Sequence, residues 1–149
     1  MDIPRIFTIT ESAHRIHNPF SPEKFSTLGA ALRLAPDTRI LDLGSGSGEM
    51  LCTWARDYGV QGMGIDMSPV FTEQAKRRAA ELGVSDRVRF VHDDAAGYVA
   101  DEKVGVAACV GATWIAGGVA GTIQLLAQSL SAGGIVLIGE PYWRRLPET

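Results

Sequence analysis

The segment Asp42-Leu43-Gly44-Ser45-Gly46-Ser47-Gly48 constrains this chain more than any other. It closes a short apolar run, residues 39–43, and opens a stretch in which Leu51, Trp54, Ala55 and Tyr58 recur at helical spacing. A strand that runs through a glycine-rich turn into a helix is the opening unit of an open parallel sheet. Such sheets bind ligands beyond the carboxyl ends of their strands, beside the point where strand order reverses. Gly44, Gly46 and Gly48 allow backbone angles denied to other residues and let a ligand approach the main chain. The first-turn amides of the following helix then face whatever sits there.

The rest of the chain repeats this alternation. Strand-length apolar segments at 39–43, 62–66, 88–92, 104–110 and 134–139 alternate with helical ones, the pattern of a parallel sheet covered on both faces. Ser21-Pro22-Glu23 provides a cap, a proline in the first turn and an acid, leading to Phe25, Leu28 and Leu32. Ser68-Pro69 repeats the device, with Phe71, Ala75, Ala79 and Leu82 following before Gly83 stops the helix. A last helix is expected over 121–130. Residues 1–20 carry an apolar patch, Ile6 to Ile9, then His14, His17, Asn18 and Pro19, and read as a short helix or an ordered loop, a cap or lid on one domain spanning 1–149.

Composition narrows the class. With 46% hydrophobic and 21% charged residues the chain is a folded protein with a core. Its 14 Lys and Arg against 17 Asp and Glu give a net charge of -3, and Lys76-Arg77-Arg78 and Arg144-Arg145 are too short to form a basic tract, so no nucleic-acid partner is expected. Cys52 and Cys109 sit among apolar residues and read as free thiols. No signal peptide opens the chain and no run approaches the roughly 18 apolar residues of a membrane span, so a cytoplasmic location without membrane contact is expected. No His, Cys or Asp cluster has metal-binding spacing, and no metal site is expected.

The ligand depends on details of the turn. A dinucleotide fingerprint requires G-x-G-x-x-G, and the sixth position counted from Gly44 is Glu49, an acid that would repel a pyrophosphate. No lysine follows the glycines, which excludes a phosphate-gripping loop. Asp42 lies two residues ahead of them, so a ligand with a cationic or zwitterionic part suits the site better. Asp66, closing the second strand, can accept both hydroxyls of a ribose. One carboxylate of Asp93-Asp94 can take the amino group of an adenine, with Val91 or Ala95 against the ring.

Asp42-Leu43-Gly44-Ser45-Gly46-Ser47-Gly48, Gly64-Ile65-Asp66-Met67-Ser68 and His92-Asp93-Asp94-Ala95 together resemble the successive motifs of the class I S-adenosylmethionine-dependent methyltransferases, over roughly residues 27–143. The resemblance implies an α/β fold, a Rossmann-like doubly wound parallel sheet, with S-adenosyl-L-methionine as cofactor. The glycine loop, with Asp42, Gly44, Ser45, Gly46 and Gly48, would hold its methionine end. Asp66 would take the ribose, Met67 one side of the adenine, and Asp94 with Ala95 its edge. Gly111, within Cys109-Val110-Gly111-Ala112-Thr113, would lie near the methyl group and the acceptor. Arg5-Ile6-Phe7-Thr8 and Gly139-Glu140-Pro141-Tyr142-Trp143 further resemble a little-characterised bacterial branch with cores of the small-molecule type.

Methyl transfer from a sulfonium requires chiefly alignment in a dry pocket, so it leaves no universal catalytic signature, and no catalytic residue is assigned. His14 and His17, in a region that folds over the substrate in related enzymes, and Trp114 and Trp143, after the fourth and fifth strands, are the candidates for binding a small-molecule methyl acceptor. His92 reads as structural, and Glu140 as either a site group or a solvated strand end. The family sheet carries a further C-terminal hairpin at one edge that is missing here. The fifth strand would therefore be an exposed edge, expected of a fragment, or of a chain that self-associates through that edge. A non-catalytic cofactor- or partner-binding domain and, more remotely, an oxidoreductase of the NAD type are the alternatives.

Overall fold

The computed structural model describes residues 5–18 and 20–145. Within them the order is α1 (Arg5–Glu11), α2 (Pro22–Leu32), β1 (Arg39–Leu43), α3 (Glu49–Tyr58), β2 (Gln61–Asp66), α4 (Pro69–Glu81) and β3 (Val88–His92). Then follow β4 (Val104–Val110), a 3-10 turn (Thr113–Ala116), α5 (Val119–Ala127) and β5 (Leu130–Gly139). The five strands pair in parallel in the order β3-β2-β1-β4-β5, so strand order reverses between β1 and β4.

Side-chain alternation along the central strands builds two cores. Ile40 of β1 and Val106, Ala108 and Val110 of β4 face α2, α3 and α4, where they meet Phe25, Leu51, Trp54 and Ala75. Leu41 and Leu43, with Ala107 and Cys109, point to the other face, against Leu125 and Leu126 of α5. Trp54 is fully enclosed and its Nε1–H donates to the Phe25 carbonyl at 3.0 Å, so the largest side chain of the first core leaves no polar atom unmet. Both cysteines are buried free thiols, their ionisation pushed up to about 12 chiefly by burial.

The helix starts follow their local signals. Ser21 and Ser68 cap α2 and α4, each side chain accepting an amide of the first turn, from Lys24 and Phe71 respectively. The end of α5 does not. The helix stops at Ala127, earlier than the spacing predicts, and β5 begins at Leu130. The reason is Ser129, which is fully buried and bridges to the start of β4. Its Oγ accepts from Ala100 N at 3.0 Å, and its carbonyl accepts from Val104 N at 2.9 Å. Residues 131–134 then form an irregularity in the β4–β5 ladder and not a turn. Along its other side β5 has no partner strand among the described residues.

Residues 12–18 run as an irregular strap across the carboxyl ends of the strands, and three side chains hold it. Gln74 Nε2 of α4 donates to Ser12 O at 2.7 Å, Ser47 Oγ to Arg15 O at 2.6 Å, and Asn18 Nδ2 to Val110 O at 3.1 Å. The N-terminal region is thereby ordered against the glycine turn through long-range contacts, after one short helix. Residues 1–4, Pro19 and the last four residues lie outside the described part, as do the side chains of Arg5, Ile6 and Phe7.

Candidate functional site

A cleft opens at the carboxyl ends of β1, β2 and β4, at the reversal of strand order. Its floor is the glycine turn, and its shape depends on absent side chains. Gly48 has a φ of 76°, and a Cβ there would fall 2.6 Å from the Phe90 ring; one on Gly44, also at 76°, would fall 2.6 Å from Ala112 Cβ. Larger residues would drive the turn into Phe90 of β3 and Ala75 of α4 at position 48, and into Ala112 just past β4 at position 44.

Four of the turn's amides are engaged within the protein. Gly44 N and Ser45 N donate to Ile65 O at 2.8 and 3.1 Å, Gly48 N to Ser45 O at 3.0 Å, and Gly46 N to Asp66 Oδ2 at 2.8 Å. The loop is therefore tied to β2, and side chains must supply much of the polarity offered to a ligand.

Asp66 is the hub of that tie. One carboxylate oxygen accepts from Gly46 N and the other from Ser68 N, both at 2.8 Å, which joins the glycine turn to the start of α4. Burial raises its ionisation above the usual aspartate range, against the main-chain donors from Ser68 and Gly46 and the charges of His17 and His92, which act to lower it. Asp42 stands opposite, 4% exposed, with Oδ1 lacking any partner. Burial, reinforced by the Asp66 charge, lifts its value to about 7. A folded-state value above the unfolded one makes the proton stabilising. That contribution is complete below about pH 4 and is lost as pH rises through about 7.

Glu49, read from sequence as a negative charge at the ligand, is matched within the fold. Arg78 of α4 clasps it with two bonds, Nε to Oε2 at 2.8 Å and Nη2 to Oε1 at 3.0 Å. Its repulsion toward a phosphate is correspondingly smaller than the spacing alone suggests.

The cleft brings together Asp42, Gly44, Ser45, Gly46, Gly48, Asp66, Met67, Asp94, Ala95, Gly111, His17 and Trp114. Asp93 is turned to its neighbours, its side chain accepting from Asp94 N at 2.8 Å, while Asp94 lines the cleft. His92 Nε2 lies 3.0 Å from Met67 O and so fixes the residue after Asp66. Trp114 is 55% exposed at the mouth. Two candidates are not gathered there. The His14 side chain, 62% exposed, pairs with Glu11 at 3.1 Å on the outer side of the strap, because the backbone turns between it and His17. Trp143 follows the end of β5, is 75% exposed, and is not among the cleft-lining residues. Sequence reasoning missed Asn18, Arg15 and Phe71 as lining residues. Phe71 was visible only as one residue of a buried helical stripe, and no local signal marks the strap residues. Glu140 accepts from Thr113 N at 3.2 Å and Thr113 Oγ1 at 2.6 Å, bracing the ends of β4 and β5 beside the cleft.

Residues 40–134 match the sequence profile of the methyltransferase domain family. The chain belongs to that family. This methyltransferase domain is 76% identical, over its whole length, to the uncharacterized protein YjhP of Escherichia coli K12, of which it covers 60%. A crystal structure of a Geobacter sulfurreducens S-adenosylmethionine-dependent methyltransferase, in complex with S-adenosyl-L-homocysteine, superposes with a TM-score of 0.97 at 78% identity, over 99% of this chain and 59% of that one. A Thiobacillus denitrificans enzyme, likewise in complex with S-adenosyl-L-homocysteine, gives 0.97 at 76%, over 100% and 60%. The domain thus spans about 60% of the length of these relatives, and its five parallel strands are the Rossmann-like sheet of the class I methyltransferases. Among the described residues no helix is long and apolar enough to cross a membrane, and no group of three or more His, Cys, Asp or Glu side chains could hold a metal.

Proposed function

We propose that this domain binds S-adenosyl-L-methionine in the cleft and forms the methyl-donor half of an enzyme acting on a small-molecule acceptor. The observation that carries the reading is the pair of buried carboxylates flanking the glycine turn: Asp66 is tied to main-chain donors and Asp42 is left with an unpartnered oxygen. An orphaned acid beside a second acid calls for a cationic group, and a nucleoside bearing an amino acid supplies an ammonium and a ribose diol together. The relatives in complex with S-adenosyl-L-homocysteine support the same choice.

In this reading Asp42 and the turn residues Gly44, Ser45, Gly46 and Gly48 face the amino-acid end, and Asp66 the ribose. Met67, Asp94 and Ala95 surround the adenine, and Gly111 borders the reacting centre. When bound, the cofactor supplies an electrophilic methyl group. The protein's part is to orient it and exclude water. Trp114 is the acceptor-side contact best supported by position, since it lines the cleft and remains exposed. The absence of a basic tract favours a small acceptor over nucleic acid.

Titration calorimetry across pH 6–8 tests the cofactor assignment. S-adenosylhomocysteine is expected to bind, with affinity falling by up to about tenfold per pH unit below about 7, because protonated Asp42 must release its proton to meet an ammonium. Asp42→Asn should bind more weakly and lose most of that dependence, with Asp66, also raised, leaving a residue of the same sign. Binding of NAD in place of S-adenosylhomocysteine would overturn the assignment.

The unpaired side of β5 is a further property of this domain. Ile135 is exposed there, and an open parallel strand of ten residues is a template for pairing. We expect the 149-residue chain to self-associate through it, so sedimentation should detect dimers at micromolar concentration. A proline at Ile138 should reduce them. A monomer at all concentrations would show the edge to be protected.

A further inference from the structure

Among the described residues three buried side-chain atoms lack a hydrogen-bond partner: Asp42 Oδ1, His17 Nε2 and Gln74 Oε1. Asp42 and His17 line the same cleft, and Gln74 holds the strap that carries His17. Buried polar atoms are seldom left orphaned, and two of them on one cleft mark groups whose partner comes from outside the chain.

His17 is placed by contacts from α4 and from the glycine turn. Its ring lies against Phe71 of α4, centroids 4.2 Å apart, and Nδ1 stands 2.8 Å from where a Cβ on Gly46 would be. The charges that reach it are Glu11 at the end of α1, Asp66 on β2 and, within the strap, His14. The His14 main chain acts on the ring in the sense that favours its protonated form, and burial outweighs it. A neutral ring, which burial favours, leaves Nε2 a bare acceptor on the cleft when its proton is on Nδ1.

A hydrogen-bond donor is what this nitrogen lacks. The two oxygens of Asp66 already accept Gly46 N and Ser68 N, so a diol at that carboxylate shares it with two fixed donors. An imidazole nitrogen alongside offers an acceptor free of that competition. We propose that His17 is a second ribose-recognition group, its Nε2 accepting one hydroxyl of the nucleoside while Asp66 accepts the other. The strap then closes on the sugar and not on the methyl acceptor. This rests on the methyl-donor reading above and assigns to that site a residue outside the motifs that define it.

Calorimetry on the full chain at about pH 8, where Asp42 is ionised, tests the proposal with three probes. These are S-adenosylhomocysteine, 5′-methylthioadenosine, which lacks the amino acid, and the 2′,3′-dideoxy analogue of S-adenosylhomocysteine. His17→Ala should weaken the first two alike, by about five- to tenfold, and leave the dideoxy analogue unchanged. His17→Gln, whose side-chain carbonyl can accept, should retain most of the affinity. Equal losses on all three probes would make His17 a packing residue and overturn the proposal. So would a loss confined to S-adenosylhomocysteine, which would assign His17 to the amino-acid end. If the unaltered chain binds none of them, the methyl-donor reading itself falls, an outcome separate from either.

Discussion

Asp66→Ala is expected to reduce the affinity of the domain for S-adenosylhomocysteine by at least about a hundredfold while leaving it folded. Two losses combine. In the proposed complex the ribose forfeits a charge-assisted hydrogen-bond acceptor, a contact of about 1.5–3 kcal/mol. The glycine turn also forfeits its anchor, since the same carboxylate receives Gly46 N and Ser68 N at 2.8 Å and keeps the turn against α4. Stability should change far less, because removing the two hydrogen bonds is offset by relief of a buried carboxylate whose ionisation burial disfavours. Calorimetric titration beside a thermal melt separates the effects. A variant that keeps wild-type affinity within about threefold would dissociate Asp66 from the sugar.

Arg78→Met should be the most damaging change outside the two cores, at about 2–4 kcal/mol of unfolding free energy. Glu49 is buried and held by two guanidinium bonds, and the variant leaves its carboxylate without that partner in a water-poor wall. Arg15, whose guanidinium lies 4.0 Å from Glu49 and 3.4 Å from Glu81, keeps the loss below that of a fully isolated pair. The double variant Glu49→Leu/Arg78→Met should recover most of the stability, since an apolar pair carries no desolvation penalty. Urea denaturation of the four chains of that cycle reads the coupling directly. A single-variant loss under about 1 kcal/mol would mean that solvent screens the pair, leaving the charge of Glu49 available to a ligand.

How much of this could be read beforehand depends on the range over which each feature is decided. The five strands, the capped starts of α2 and α4, and the strand–turn–helix unit around Gly44 are set by residues within a few positions of one another, through period-2 and helical patterning and by caps. The placing of Asp42, Asp66 and Asp94 at one end of the sheet follows from the same local order, because parallel strands all finish on one side. Where an element's limit depended on a distant partner, local reading failed. Ser129 ends α5 early by bonding to Ala100 and Val104, which no periodicity could reveal.

Sequence alone thus determined the strands, the strand–turn–helix unit around Gly44, and the row of carboxylates at the strand ends. The tertiary structure decided what each charge meets. It pairs Glu49 with Arg78 on the next helix and leaves Asp42 buried without a partner. It turns His14 to the outside and His17 onto Gly46, although the two lie three residues apart. The physical reason is that hydrogen bonding, burial and ionisation depend on neighbours in space. Those neighbours exist only once the strap, the turn and α4 have been folded against each other.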